Sequence, residues 1–278
     1  MRNYVKLIRV KHWIKNLLIF IPMFFSKQIN LDNILTTLIG FFAFSFVASF
    51  IYIINDIRDV EKDKLHETKK NRPIASGKIS IKNASIFSVI IIGLAIILSI
   101  FASKNYLSLI LIVTYLLINM YYSFGGKNIA IVDVILLAAG FVLRVYYGAS
   151  LINVKVSDWL FLTILNASLF LGFGKWKKEL LNNKNSRGVL KFYNENFINQ
   201  FMYLCLCLTI VFYSLWAIEY DYMVITIPVL MTIFMQYSLL LETNTDGDPI
   251  TLFYKSPLLI VSALIYSILI FILLVILW

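Results

Sequence analysis

The chain has 278 residues, of which 60% are hydrophobic and only 14% are charged, and its net charge is +10. Soluble domains contain about 45–50% apolar and about 25% charged residues. With two cysteines in the whole chain, this composition excludes both a soluble enzyme and a secreted disulfide scaffold.

Continuous apolar runs follow one another along the chain. A transmembrane helix needs about 20 mostly apolar residues, whereas the strands of a membrane barrel alternate apolar and polar residues. The runs therefore predict an all-α polytopic membrane protein, a bundle of about nine transmembrane helices in one domain covering residues 1–278. The predicted spans lie at about residues 14–28, 33–54, 84–103, 106–123, 129–150, 157–174, 198–218, 222–241 and 256–278.

Basic residues predict how the chain is oriented in the membrane. The N-terminal segment contains five of the 25 Lys and Arg residues, and the polar segments 56–83 and 175–200 contain eight and six. With nine spans, all three segments fall on one side, which the positive-inside rule assigns to the cytoplasm. The positive charge is then explained by orientation and by contact with anionic membrane lipids. It does not indicate nucleic-acid binding.

Three aspartates follow the second predicted span. If the helix continues, Asp56, Asp59 and Asp63 are spaced three and four residues apart and project from one face. Mg²⁺ prefers such carboxylates together with water and substrate phosphate, so we predict a Mg²⁺ site at which all three are ligands and catalytic residues. The alternative is a solvated helix end whose acids are balanced by neighbouring basic residues.

A polar turn comes next, at Arg72–Gly77. Arginine binds phosphate through two parallel hydrogen bonds, and backbone amides together with Ser76 could assist it. The turn is therefore a candidate phosphate-binding element, with an ordinary membrane-surface loop as the alternative.

Ionisable residues within a membrane span are functional candidates by default. Asp133 and Arg144 in the fifth predicted span meet this criterion, with a structural ion pair to neighbouring helices as the alternative. Tyr122 and Lys127 lie where the fourth and fifth spans meet the cytoplasm, and Lys15 and Asn16 begin the first span on the same side.

The sequence Asn55-Asp56-x-x-Asp59-x-x-x-Asp63, followed by Arg72-Pro73-Ile74-Ala75-Ser76-Gly77, resembles the UbiA superfamily of intramembrane prenyltransferases. The resemblance covers the whole chain. It implies a nine-helix bundle that holds a substrate diphosphate through Mg²⁺ on two Asp-rich loops, one after helix 2 and one after helix 6.

The second loop departs from that pattern and points to one branch of the superfamily. The segment Gly174–Leu180 contains three lysines, Lys175, Lys177 and Lys178, and a single acid. It would repel a second Mg²⁺ and attract an anion, and it is similar to the decaprenyl-phosphate phosphoribosyltransferase branch. Further elements similar to this branch are His12-Trp13-Ile14-Lys15-Asn16 (with His12 in place of the usual Gln), Tyr122-x₄-Lys127, Asp133-Val134, Gly140–Arg144 and Gly247-Asp248-Pro249.

The resemblance implies Mg²⁺-dependent transfer of 5-phosphoribose from phosphoribosyl diphosphate to a polyprenyl phosphate. The implied substrate-binding residues are Lys15, Asn16, Asn55, Arg72, Ser76, Tyr122, Lys127, Asp133, Arg144, Lys175, Lys177 and Lys178. One alternative is a conventional UbiA reaction that joins a polyprenyl diphosphate to an aromatic or other small acceptor. A second alternative is a non-enzymatic lipid transporter.

Overall fold

The computed structural model describes residues 2–65, 69–182, 188–245 and 247–276. Within these ranges the chain is helical and contains no strand. The α-helices are α1 (Arg2–Leu7), α2 (Ile21–Phe25), α3 (Leu31–Arg58), α4 (Val60–Lys64), α5 (Ile81–Ala102), α6 (Tyr106–Phe124), α7 (Val132–Leu151), α8 (Asp158–Leu181), α9 (Glu195–Ile218), α10 (Thr226–Thr243), α11 (Pro249–Lys255) and α12 (Pro257–Phe271). Parts of the predicted polar segments, residues 66–68 and 183–187, lie outside the described ranges, as do residues 277–278 of the last predicted span.

Eight helical segments in the described part of the chain are long and apolar enough to cross a membrane. They are α3, α5, α6, α7, α8, α9, α10 with the turn before it, and α12 with the turn after it. The predicted fold class, an all-α multi-pass bundle, is confirmed. The count differs by one because the first predicted span is not among the eight.

The first predicted span, residues 14–28, is a 3-10 helix (Val10–Phe20) followed by the short helix α2. Pro22 is the second residue of α2, where proline is tolerated because an N–H in the first turn has no partner within the helix. The segment nevertheless runs antiparallel to α3 along most of its length. The contacts join Arg9 to Asp56 (2.5 Å), Trp13 to Ser49 (3.1 Å), Asn16 to Ser45 (2.9 Å), and the ring of Phe20 to that of Phe41 (5.7 Å).

Contacts divide the chain into two compact units. The first comprises Met1–Ser123 and Leu143–Lys155, and the second comprises Phe124–Val142 and Val156–Trp278. A single membrane domain, as expected from the sequence, remains a prediction.

The core of the first unit is built where the N-terminal segment and α7 meet α3. Ile19, Phe44, Tyr147 and Leu151 are fully buried there. Gly148 lies directly against the backbone of Ile19, so a Cβ atom at this position would collide with main-chain atoms. The absence of a side chain at Gly148 allows this close approach.

The core of the second unit lies mainly between α8 and α9, with α10 packed against α8. Phe170, Trp176, Ile198 and Leu241 are almost completely buried in it. Gly174 permits close packing here as well, because a Cβ atom would lie 2.9 Å from the side chain of Leu241.

Candidate functional site

Two buried carboxylates converge where α3 ends in the first unit. Asp56 in the last turn of α3 is 2% exposed and Asp63 in α4 is 4% exposed. Nη1 of Arg72 donates to both, at 3.0 Å from Oδ1 of Asp56 and 2.6 Å from Oδ2 of Asp63. One cationic nitrogen therefore lies between two carboxylate oxygens.

A second arginine completes this cluster. Nη2 of Arg9 lies 2.5 Å from the same Oδ1 of Asp56, and its guanidinium stacks over the ring of Tyr52 at 4.7 Å. We call Asp56, Asp63, Arg9 and Arg72 the acid–arginine cluster. Its two acids and two arginines balance in charge, which is what allows the carboxylates to be buried.

Apolar packing brings both arginines to this place. Leu7, Ile53, Ile74 and Ile79 form one buried cluster, and fully burying each such side chain contributes about 1.5–3 kcal/mol. This packing fixes α1 and the turn after Arg72 against the last turns of α3. The residues that carry the guanidiniums are thereby held beside Asp56.

Asp59 is oriented differently from the other two aspartates. Helix α3 ends at Arg58, and Asp59 has φ −92° and ψ 12°, which separates α3 from α4. Its two carboxylate oxygens each accept a hydrogen bond at 3.0 Å from Arg58, whose guanidinium also donates to the carbonyl of Ser123. The expectation of three aspartates on one continuous helix face is therefore wrong, and the described residues contain no cluster of three metal-ligating side chains.

The residues predicted to act with the aspartates, Asn55, Arg72 and Ser76, lie in different surroundings. Asn55 lies in the last turn of α3, where its carbonyl accepts the N–H of Asp59 at 2.9 Å. Ser76 is exposed, its hydroxyl donates to the carbonyl of Pro73 and its N–H donates to that of Arg72. Ser76 thus shapes the turn that carries Arg72, whereas Arg72 itself belongs to the acid–arginine cluster.

A buried polar network occupies the interior of the first unit. Arg144, 6% exposed, donates from Nε to Oδ1 of Asn16 at 2.8 Å and from Nη2 to the hydroxyl of Tyr115 at 2.9 Å. Asn16 in turn donates to Ser45. The structure therefore brings the predicted residues Asn16 and Arg144 together, at a position remote along α3 from Asp56.

Two other predicted residues of the first unit lie at its half-buried surface. Lys15 follows His12 and Trp13 in the 3-10 helix, and Tyr122 lies in the last turn of α6.

Asp133 belongs to a separate network in the second unit. It is fully buried, and the hydroxyl of Tyr193 donates to its Oδ1 at 2.8 Å. The same hydroxyl accepts the backbone N–H of Ile131 at 2.5 Å. Ile131 has φ +69°, a strained value for a β-branched residue, so Tyr193 and Asp133 hold the end of the loop that contains the predicted Lys127.

We expect Tyr193→Phe to destabilise this loop. Burial raises the pKa of Tyr193 to about 12, so at neutral pH the hydroxyl is protonated and donates to Asp133. Its removal should lower the free energy of unfolding by about 2–3 kcal/mol, as expected for a hydrogen bond to a charged group. Hydrogen exchange should show faster exchange at Ile131. Tyr203→Phe, at a position 48% exposed, is the control, and equal exchange in both variants would refute the role of Tyr193.

The three predicted lysines lie in the last turns of α8, and they contact the last turn of α10 or the segment that follows it. Lys177 donates to the carboxylate of Glu242 at 2.5 Å, and Lys178 donates to the backbone carbonyl of Glu242 at 3.1 Å. Both are more than nine-tenths buried. Lys175 is 29% exposed, with its Nζ 3.6 Å from the carboxylate of Asp248.

This lysine segment fits tightly against the chain near Gly247. A Cβ atom at Gly247 would lie 2.7 Å from Cβ of Lys178 and 3.1 Å from the carbonyl oxygen of Lys175. Because Lys177 and Lys178 both bond to Glu242, they place positive charge at the C-terminal end of α10, where it is favourable. Lys175 is the most accessible of the three.

Three residues that matter in these networks carry little distinctive signal in the sequence. Arg9 is one of several basic residues in the N-terminal segment, and neither Tyr193 nor Glu242 differs in type from what its neighbours would lead one to expect. The one available signal was the position of Arg9 shortly before the His12–Asn16 motif.

Comparisons with known proteins place the chain in a family. The UbiA prenyltransferase family matches residues 17–259. A decaprenyl-phosphate phosphoribosyltransferase of Corynebacterium glutamicum is 30% identical over 88% of this chain and 78% of its own length. A decaprenyl-phosphate phosphoribosyltransferase of Mycobacterium tuberculosis is 28% identical over 88% of this chain and 85% of its own length.

Solved structures share the fold. A UbiA homologue from Archaeoglobus fulgidus bound to DMAPP and Mg²⁺ has a TM-score of 0.73, 18% sequence identity, and 96% coverage of both chains. A digeranylgeranylglyceryl phosphate synthase structure has a TM-score of 0.68 at 23% identity, covering 99% of this chain and 98% of the other. This chain is therefore a multi-pass membrane enzyme that belongs to the UbiA prenyltransferase family.

Proposed function

We propose that this enzyme transfers 5-phosphoribose from phosphoribosyl diphosphate to a polyprenyl phosphate and releases diphosphate. The observation that carries the proposal is the pair of buried carboxylates, Asp56 and Asp63, that share one cationic nitrogen. The lysine-rich end of α8 supports phosphoribosyl transfer over prenyl transfer. Two relatives that are similar over 88% of this chain are named decaprenyl-phosphate phosphoribosyltransferase, which supports the same choice.

The residues present fit a magnesium ion. Two hard carboxylate oxygens lie within 3.0 Å of Nη1 of Arg72, so a cation already occupies the position between them. We propose Asp56 and Asp63 as ligands, with Asp59 and Asn55 as further candidates close by in sequence. Bound Mg²⁺ would neutralise the charge that develops on the departing diphosphate.

The remaining chemistry is assigned to side chains of the chain. Arg72 offers guanidinium N–H donors to diphosphate oxygens, and such preorganised donors stabilise charge that builds up in the transition state. The bond between the anomeric carbon and the diphosphate breaks, and its electron pair leaves with the diphosphate. A phosphate oxygen of the polyprenyl phosphate forms the new bond to that carbon.

No general base is needed for this step. The second pKa of a phosphate monoester is about 6, so the acceptor is already anionic at neutral pH. The proposal is consistent with an acid–arginine cluster that contains no histidine.

We assign separate roles to residues of the second unit. Lys127 and Lys175 are proposed to bind phosphate groups, because Lys175 is the accessible lysine of its segment. Lys177 and Lys178 are proposed to hold Lys175 in place through Glu242. Asp133 is proposed to position the loop of Lys127 through Tyr193. In the first unit, Arg144 is proposed as a deep phosphate contact.

We also propose that the N-terminus and the polar segments face the cytoplasm. The support is the concentration of Lys and Arg in these segments, which the positive-inside rule associates with the cytoplasmic side. The polyprenyl tail is then expected to lie against apolar helix surfaces that face lipid.

The second candidate function is transfer of a prenyl group from a prenyl diphosphate to a small acceptor. It is favoured by the Archaeoglobus fulgidus structures that are bound to DMAPP or GPP with Mg²⁺ and share this fold. Both candidates need the same first acidic motif. They differ in the donor, so the donor is what an experiment must identify.

A lipid-extraction assay tests the proposed function. Purified protein is supplied with phosphoribosyl diphosphate labelled in the ribose, Mg²⁺ and a mixture of polyprenyl phosphates. We expect Mg²⁺-dependent label in the organic phase, and none with the Asp56→Ala variant. If folded protein transfers no ribose label but transfers label from a prenyl diphosphate to an aromatic acceptor, the second candidate is correct.

A further inference from the structure

The guanidinium of Arg9 is held at the acid–arginine cluster by three independent features. Its Nη2 donates to Oδ1 of Asp56 at 2.5 Å, and its carbon Cζ lies 4.7 Å above the ring of Tyr52. The backbone of Arg9 is left-handed, with φ 54° and ψ 49°, immediately before the 3-10 helix. Such a conformation is uncommon for a non-glycine residue, and here it directs the side chain to the end of α3.

Arg9 and Arg72 share a single carboxylate oxygen. Both donate to Oδ1 of Asp56, but Arg72 is also bonded to Asp63. In the described residues, Arg9 uses one of the five N–H donors of a guanidinium for its single hydrogen bond to the cluster. Arg9 is therefore the arginine that loses least when the carboxylates take another cation.

Charge balance shows what such a replacement would do. The cluster is neutral with two acids and two arginines, so a divalent cation on the carboxylates would leave it with two uncompensated positive charges. Repulsion from the metal would weaken the bond between Arg9 and Asp56. An anion bearing several phosphate oxygens would restore the balance, and the planar fork of a guanidinium matches phosphate geometry.

We propose that Arg9 is a diphosphate-binding residue, which exchanges its bond to Asp56 for oxygens of the substrate diphosphate when a divalent cation occupies the two carboxylates. This inference rests on the proposed function, because it requires a diphosphate donor at the same cluster. It adds a ligand from the N-terminal segment, 47 residues before Asp56.

The test measures binding and does not depend on turnover. The full-length protein in detergent is titrated with Mn²⁺ alone, and then with inorganic diphosphate at saturating Mg²⁺. The variants are Arg9→Gln, Arg9→Lys and the matched control Lys11→Gln, which removes one positive charge from an exposed position two residues away. The diphosphate titration is repeated with phosphoribosyl diphosphate and with geranyl diphosphate to identify which donor supplies the diphosphate group.

We expect Arg9→Gln to weaken diphosphate binding by about 10-fold to 100-fold, the range for a lost hydrogen bond to a charged group. Its affinity for Mn²⁺ should be unchanged or higher, because a competing cation has gone. Arg9→Lys should lie between Arg9→Gln and wild type, and Lys11→Gln should match wild type. The donor that binds the wild-type protein should bind Arg9→Gln more weakly, by a factor similar to that for inorganic diphosphate.

Several outcomes would overturn the proposal. If wild type binds diphosphate with Mg²⁺ and Arg9→Gln binds it equally well, Arg9 is not a ligand, although the proposed function stands. If Arg9→Gln also loses Mn²⁺ binding, its role is structural. If wild type binds no diphosphate with Mg²⁺, both the proposed function and this inference fail. Should Arg9→Gln not fold, a loss below about threefold in Arg9→Lys overturns the inference.

Discussion

Replacing Asp56 or Asp63 by Asn is expected to lower kcat/KM for group transfer by about 10³-fold, or about 4 kcal/mol of transition-state stabilisation. Both side chains are buried and both bind Nη1 of Arg72. Asparagine keeps their shape but removes the charge that would hold a divalent cation. The measurement is the rate of label transfer into lipid over a range of Mg²⁺ concentrations.

Glu61→Gln is the matched control for this prediction. Glu61 lies in α4 only two residues from Asp63, but its side chain is 78% exposed and pairs with Lys64. Surface ion pairs contribute about 0–1 kcal/mol, so the control should retain activity within about twofold. Equal losses for Asp63→Asn and Glu61→Gln would show that general negative charge, and not the converging carboxylate pair, supports the reaction.

Gly148→Ala is expected to destabilise the protein by about 3 kcal/mol or more. A Cβ atom at this position would collide with the carbonyl carbon and oxygen of Ile19. These are main-chain atoms, so they cannot move aside as a flexible side chain would. The melting temperature in detergent should fall by about 6–12 °C, on the scale of about 2–4 °C per kcal/mol for chains of this size.

Gly93→Ala provides the comparison for Gly148→Ala. Gly93 lies in α5, where a Cβ atom would have no neighbour within 4 Å. Alanine is the better helix former by about 0.8–1 kcal/mol, so Gly93→Ala should leave the melting temperature unchanged or slightly raised. If both variants have the same melting temperature, the N-terminal segment does not pack against α7 as closely as described.

Much of the fold could be predicted from hydrophobic run lengths, and the exception has a clear cause. Run length predicts where a chain crosses a membrane, but it does not distinguish an α-helix from a 3-10 helix. Residues 14–28 are predicted as a span, yet they form the end of a 3-10 helix and a short α-helix. Asparagine, serine and tryptophan contacts to α3 hold this irregular segment.

The predicted site was recovered only in part, because spacing along a helix assumes that the helix continues. Helix α3 ends at Arg58, and the carboxylate of Asp59 binds the guanidinium of Arg58 instead of joining Asp56 and Asp63. Similarly, the three lysines after Gly174 could be recognised as a basic segment. The burial of Lys177 and Lys178 against Glu242, more than 60 residues later, is not encoded in any local pattern.

The sequence by itself determined the class of this protein, because apolar content and run length leave few alternatives to a multi-pass helical membrane protein. Its first acidic motif was also sufficient to indicate the UbiA family. Only the tertiary structure decided which charges meet. Arg9 reaches Asp56 across 47 residues and Tyr193 reaches Asp133 across 60. Such pairs depend on which helices pack together, and periodicity within one helix carries no information about that packing.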